Sequence, residues 1–234
     1  MEFYPTPAPF THWLQASMAQ QGYPITGDLF APCVGDGAIV RAIAGNWTTN
    51  DLDRRWAADT HCDATSVDAW DRPVDWTVDN PPFQPAIEII RKALRFSRVG
   101  VAMHLRASIH EVLKTGTRRT WMREHAPNGI LWLPRFAYQR SRTTGLWTTD
   151  SVTACWVIWL KDPDADQFID YAPEYVLDQL DRFTPEYRQR MDALMLEYHR
   201  KSGKGCDHEF VGGNNCAKCG WTPTSDDLAA LVRA

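Results

Sequence analysis

The chain of 234 residues contains no apolar run near the roughly 18–20 residues that a membrane-spanning helix needs. Its first residues, Met1-Glu2-Phe3-Tyr4-Pro5, lack the basic start and apolar stretch of a secretory signal. Together these absences predict a cytoplasmic protein with no membrane partner. No segment repeats and no tract is of low complexity, so nothing reads as a repeat array. A disulfide scaffold is also excluded, because the six cysteines are not spread for pairing. Cys33, Cys62 and Cys155 are scattered through apolar or strand-like segments, whereas Cys206, Cys216 and Cys219 crowd beside His208. That distribution suits buried thiols and one metal site.

A net charge of −4 excludes a uniformly basic nucleic-acid binder. The charge is nevertheless uneven. Residues 89–149 carry twelve Lys and Arg against only Glu111 and Glu124, a net +10 that leaves −14 for the rest. Either the basic residues form a solvated helix face, or they form a surface facing a polyanion; the sequence favours the second.

With an ordinary apolar share of 44%, the length suits one α/β domain with a small appendage. Strands are predicted at 28–31, 47–50, 57–62, 74–79, 99–105 and 129–133, with the longest at 151–160. Helical segments are predicted within 5–20 (closed by Gly22) and at 38–44, 85–96, 107–124 and 185–201. Strands alternating with helices imply a doubly wound, mostly parallel sheet of Rossmann-like type. The expected organisation is an α/β domain over 1–165, a helical linker over 166–202 and a zinc-binding module over 203–234.

Four constellations carry chemistry. Pro32-Cys33-Val34-Gly35-Asp36-Gly37 follows the first strand and opens a helix, where glycines let the backbone approach a ligand and a helix start offers N–H groups. Asp51, past the second strand, suits two ribose hydroxyls or a helix cap. Asp63, in Cys62-Asp63-Ala64-Thr65, suits an adenine amino group or a turn cap. Asn80-Pro81-Pro82-Phe83 ends a strand, and its two prolines fix an extended turn. That turn would aim the Asn80 amide and the Pro81 carbonyl at one point. Two acceptors converging on an aryl amine favour a pyramidal nitrogen whose lone pair faces a methyl donor, and Phe83 can stack on the planar group.

On these residues the sequence resembles the class I methyltransferases, specifically the N6-adenine DNA methyltransferases and most closely their small phage-type members. Asn80-Pro81-Pro82-Phe83 matches the family's catalytic motif, and residues 32–37 match its cofactor loop. Asp51 and Asp63 match its ribose- and adenine-contacting acids, and Tyr4-Pro5-Thr6-Pro7 matches its N-terminal motif. The resemblance implies methyl transfer from S-adenosylmethionine to N6 of adenine in DNA. It assigns Tyr4, Thr6, Pro7, Pro32, Cys33, Gly35, Gly37, Asp51, Asp63, Ala64 and Asn80 to the cofactor, and Asn80, Pro81, Pro82 and Phe83 to the reaction. No sizeable target-recognition domain is present. The loop after Pro134 stands in its place, with Phe136 or Tyr138 either stacking on an extruded base or packing in the core. Arg135, Arg140 and Arg142 would contact phosphates.

Near the C-terminus, Cys206-x-His208 and Cys216-x-x-Cys219 supply four ligands on two turns, as tetrahedral Zn²⁺ requires. Four protein ligands leave no open position, so this zinc is expected to be structural and to supply the folding energy of a segment with little core. Two other readings stay open. The same motifs serve methyltransferases acting on RNA adenine or on protein glutamine. A non-catalytic, nucleic-acid-binding zinc protein is the other.

Overall fold

The computed structural model describes residues 4–110, 117–138, 146–147 and 153–201. Its β-rich segments pair into one sheet of seven strands: β1 (Asp28–Ala31), β2 (Asn46–Thr49), β3 (Val74–Asp79), β4 (Ser97–Arg106), β5 (Gly129–Trp132), β6 (Ala154–Leu160) and β7 (Phe168–Tyr171). The order is β2-β1-β3-β4-β6-β5-β7. All neighbours pair in parallel except across β6, which runs antiparallel to both β4 and β5. The helices are α1 (Ala8–Gln20), α2 (Ala38–Ala42), α3 (Ala86–Phe96), α4 (Thr117–Glu124) and α5 (Glu174–Lys201). None of them is long and apolar enough to cross a membrane.

The alternation of β4 and β6 divides the core between the two sheet faces. Val101, Met103 and Leu105 join Cys155, Val157 and Trp159 in a cluster with Ile89, Ile90 and Ala93 of α3. On α3 the buried positions Ala86, Ile89, Ile90 and Ala93 recur at helical spacing, which makes one face apolar. His104 and Trp156, paired across β4 and β6, meet α1 instead: His104 stacks on Phe10, and Trp156 Nε1 donates to the Phe10 carbonyl at 3.0 Å. Burial holds the His104 imidazole down at about 3, so it is a neutral core residue.

Gly100 lies opposite Trp76 in the β3–β4 ladder. A Cβ there would stand 2.5 Å from the fully buried Trp76 ring and 3.0 Å from the Trp159 carbonyl oxygen. Gly100→Ala is therefore expected to destabilise the fold by about 1–3 kcal/mol, seen as a lower urea midpoint with unchanged slope.

Four expectations about elements are corrected. Residues 57–62 form no strand; they make only an isolated parallel bridge, Asn50 to Thr60. The stretch offers no bulky apolar side chain to bury, and the Asp59 carboxylate instead accepts the Thr49 N–H and O–H, both at 2.8 Å. Among the described residues the longest strand is β4, whereas the 151–160 segment forms β6 over Ala154–Leu160, with residues 151–152 outside the described residues. The segment 166–202, expected as a helical linker, also contributes β7 to the sheet. Its helix begins at Glu174 and continues through Pro185.

The chain divides into two compact units, residues 1–135 with 151–183, and residues 136–150 with 184–234. The sheet and α1–α4 belong to the first. In the second, Tyr187 packs edge-on against Phe136 and donates its hydroxyl to the Tyr138 carbonyl at 2.9 Å.

Candidate functional site

The chain leaves β1 toward β2 and leaves β3 toward β4, in opposite directions along the sheet. Right-handed crossovers then put α2 and α3 on opposite faces, and a crevice opens beyond the carboxyl ends of β1 and β3. A cavity of about 230 Å³ lies there. Four parts of the sequence meet around it: the N-terminal segment 4–6, the loop after β1, the loop from Asp51 to Thr65, and the turn after β3.

Gly35 and Gly37 take the left-handed conformation, φ 52° and 75°, which folds the loop after β1 back toward α2. The helix start is not an open anion seat. α2 is only five residues long, and the Ala38 N–H is taken by Asp36 Oδ1 at 3.2 Å. The Gly35 N–H goes to Asp51 Oδ2 at 2.8 Å, and the Cys33 N–H to Asp79 Oδ2 at 2.5 Å. The protein's own carboxylates occupy donors that the sequence had suggested for a ligand.

Asn80 is tied to the N-terminal segment. Its Nδ2 donates to the Tyr4 carbonyl at 2.6 Å and to Thr6 Oγ1 at 3.1 Å. Both amide hydrogens are thereby used, and among the described residues no hydrogen bond engages Oδ1. The amide is thus held by its donor end with its acceptor end available. The rings of Phe83 and Tyr4 lie 5.7 Å apart, and the Arg106 guanidinium carbon sits 3.9 Å from the Phe83 ring centre.

Among the described residues five aspartates line the cavity, Asp36, Asp51, Asp53, Asp63 and Asp79, and no lysine, arginine or histidine does. Asp36 pairs with Arg41 and Asp53 with Arg55. Asp51, Asp63 and Asp79 have no lysine or arginine partner among the described residues. Burial raises the pKa of Asp51, against the pull of the Asp53 and Gly35 N–H groups. Asp63 is exposed and lies below the usual range, because the Thr65 N–H and hydroxyl both bond its Oδ1. Asp79 is buried, and burial lifts it to about 7 despite hydrogen bonds from the Asn80 and Cys33 N–H groups. Burial, reinforced by Asp79, pushes the Cys33 thiol well above its ordinary range, which leaves it a poor nucleophile.

Of the residues assigned to a cofactor, Tyr4, Thr6, Cys33, Gly35, Asp51, Asp63, Ala64 and Asn80 line the cavity. Pro7, Pro32 and Gly37 do not. Pro7 caps α1, the Pro32 carbonyl accepts Asn50 Nδ2 at 2.9 Å, and Gly37 caps α2. All four of Asn80, Pro81, Pro82 and Phe83 line it. Arg135 is exposed, whereas Phe136 and Tyr138 are buried side by side. Arg140, Arg142, Cys206, His208, Cys216 and Cys219 lie outside the described residues. Among the described residues no group of His, Cys, Asp or Glu is arranged to hold a metal ion.

Sequence reasoning missed two residues that build the site. Asn50, fully buried, donates to the Pro32 and Cys62 carbonyls and accepts from the Cys62 N–H and the Thr60 hydroxyl. One side chain thereby fastens the Asp63 loop to the loop after β1, in place of the strand expected at 57–62. Asp79 joins the loop after β1 to the turn after β3. Its sequence signal was present, an acidic residue ending a β-rich strand just before the Asn80 turn, but its partner lies 46 residues away.

No protein-family model matches the chain, and no curated protein matches it in sequence. Its structure is similar to solved ones. The methyltransferase subunit of a type I restriction-modification system from Streptococcus thermophilus aligns with a TM-score of 0.53 and 11% identity, over 79% of this chain and 53% of that one. A candidate class I S-adenosylmethionine-dependent methyltransferase from Listeria monocytogenes aligns with a TM-score of 0.52 and 12% identity, over 77% and 71%. The modification subunit of a candidate type I restriction enzyme from Vibrio vulnificus gives 0.51 and 10%, over 79% and 53%. The chain thus spans about half the length of the two restriction-system subunits. These likenesses establish the architecture: the seven-stranded sheet and its helices have the Rossmann-like fold of class I methyltransferases.

Proposed function

We propose that the chain is an S-adenosylmethionine-dependent methyltransferase that methylates N6 of adenine in DNA. The observation that carries this is the cavity's charge. Among the described residues, three carboxylates without lysine or arginine partners, no basic lining residue and loop N–H groups already taken make a poor seat for a phosphate-bearing cofactor. They suit a nucleoside with net positive charge, and S-adenosylmethionine carries a sulfonium and an ammonium against one carboxylate.

In this reading Asp51 accepts the ribose hydroxyls, Asp63 with Ala64 meets the adenine, and Tyr4 and Thr6 border the methionine end. When bound, the cofactor supplies an electrophilic methyl on sulfur. Asn80 Oδ1 and the Pro81 carbonyl accept the two N–H groups of the acceptor amine and turn its lone pair toward that methyl, and Phe83 stacks on the acceptor ring. The transfer is direct, without an enzyme-bound intermediate. Adenine in DNA draws on the motif resemblance, on the basic segment 89–149 and on likeness to two proteins described as restriction-system modification subunits. RNA adenine and protein glutamine are the competing acceptors of the same chemistry. The Zn²⁺ expected on Cys206, His208, Cys216 and Cys219 is a separate, structural part of the proposal and rests on ligand spacing.

Calorimetry should detect binding of S-adenosylmethionine and none of ATP or NAD; the reverse preference, or no binding at all, sinks the cofactor reading. Incubation with methyl-labelled S-adenosylmethionine and separate DNA, RNA and protein substrates should label DNA as N6-methyladenine. Label in RNA or protein alone removes the DNA assignment and keeps the enzyme.

A further inference from the structure

Arg106 ends β4, beside the turn that carries Asn80-Pro81-Pro82-Phe83. Its guanidinium carbon lies 3.9 Å from the Phe83 ring centre and 5.7 Å from that of Tyr4. The planar cation is therefore laid against the face of Phe83 at stacking distance. Other arginines of the basic segment are engaged elsewhere: Arg98 bonds Asp75 and Asp28, and Arg91 faces Glu88 and the Trp121 ring. Arg106 has no carboxylate partner among the described residues. It is half-buried, so its charge is less screened than that of a fully exposed side chain.

We infer that Arg106 is a specificity-determining residue that binds the phosphodiester flanking the acceptor nucleotide, and so sorts nucleic acid from protein acceptors. The inference rests on the reading of Phe83 as the partner of the acceptor ring. An acceptor seated on Phe83 brings its neighbouring groups within reach of the guanidinium. In a nucleic acid one of those groups is a phosphate, which a guanidinium bonds through two N–H groups at once. A glutamine in a peptide brings no such anion. Stacking on Phe83 and Tyr4 holds the guanidinium in place beforehand, so little side-chain freedom is lost when the phosphate arrives.

The test compares the full-length wild type with Arg106→Gln and Arg106→Lys. Binding of a labelled single-stranded deoxyoligonucleotide bearing one adenine is followed by anisotropy across a salt series, with calorimetry of S-adenosylmethionine alongside. Arg106→Gln should bind the oligonucleotide about tenfold more weakly, as the loss of one charged hydrogen-bonded contact implies. Its plot of log affinity against log salt should be shallower by about 0.7, the value for one phosphate on a single strand. Arg106→Lys keeps the charge and should keep the slope. If Arg106 merely props the Phe83 ring, both variants weaken binding with an unchanged slope, and the inference fails. It fails equally if wild type and Arg106→Gln bind alike, or if the wild type binds S-adenosylmethionine but no oligonucleotide. A wild type that binds neither removes the methyltransferase reading beneath it.

Discussion

Asn80→Ala is expected to lower the methylation rate by roughly 10²–10³-fold, the usual cost of losing one preorganised polar group at a reacting centre. The affinity for S-adenosylmethionine should fall much less, by about tenfold at most, since only neutral hydrogen bonds to the N-terminal segment are lost. The difference between the two effects follows from how the amide is held. Its nitrogen is committed to the Tyr4 carbonyl and the Thr6 hydroxyl, and these bonds fix the direction of Oδ1. Alanine removes the acceptor that would orient the amine, and it also unties residues 4–6 from the turn after β3. Thr6→Val separates the two contributions, because it loses one anchor and keeps the amide. Its rate should therefore fall between those of wild type and Asn80→Ala. Single-turnover rates with labelled S-adenosylmethionine measure all three. An Asn80→Ala rate within a factor of about three of wild type, less than 1 kcal/mol of barrier, would contradict the role assigned to Asn80.

The second large effect belongs to Asp79. Its carboxyl titrates at about 7 in the folded chain, because burial disfavours the charge, whereas in the unfolded chain it should return to about 4. Between those values the folded state holds a proton that the unfolded state has released. The contribution of Asp79 to stability is then greatest below about pH 4, falls as pH rises, and levels off above about pH 7. That interval corresponds to something on the order of 4 kcal/mol. Urea unfolding of wild type and Asp79→Asn over this range should give a difference between the two proteins that changes with pH in this sense. A difference independent of pH would refute it. Cofactor binding should run the other way. A cationic ligand beside Asp79 favours the ionised form, so S-adenosylmethionine affinity should rise as pH climbs toward about 7 and level off above it, and the rise should vanish in Asp79→Asn.

Much of the molecule could be read from local pattern. The unbroken apolar run Ala154-Cys155-Trp156-Val157-Ile158-Trp159-Leu160 marks a strand covered on both faces, and it is buried over nearly its whole length. The spacing of Ile89, Ile90 and Ala93 marks the apolar face of α3. The glycine loop and the Asn80 turn were recognisable because glycine and proline restrict the backbone locally. What escaped depends on distant partners. The segment 57–62 looked strand-like until Asn50 and Thr49 were seen to absorb its polar groups. Phe168–Tyr171 is too short and too acidic in its surroundings to announce a strand, which it becomes by pairing with β5. Pro185 opens the helix expected at 185–201, yet α5 begins at Glu174 and spans it. The positions of Asp51 and Asp63 along the sequence were informative. That Asp51 would grip the glycine loop was not, since the Gly35 contact crosses 16 residues.

The contact between Asp59 and Thr49 has a consequence for association. Without a strand at 57–62, β2 is the outermost strand on its side of the sheet among the described residues, with backbone groups that would otherwise invite a strand from another molecule. The Asp59 carboxylate caps the outward N–H of Thr49, and the N–H groups of Asp59 and Thr60 cap its carbonyl at 3.1 Å. The loop thus blocks that edge at Thr49 without extending the sheet. At the other edge among the described residues, β7, Ile169 and Tyr171 are well exposed.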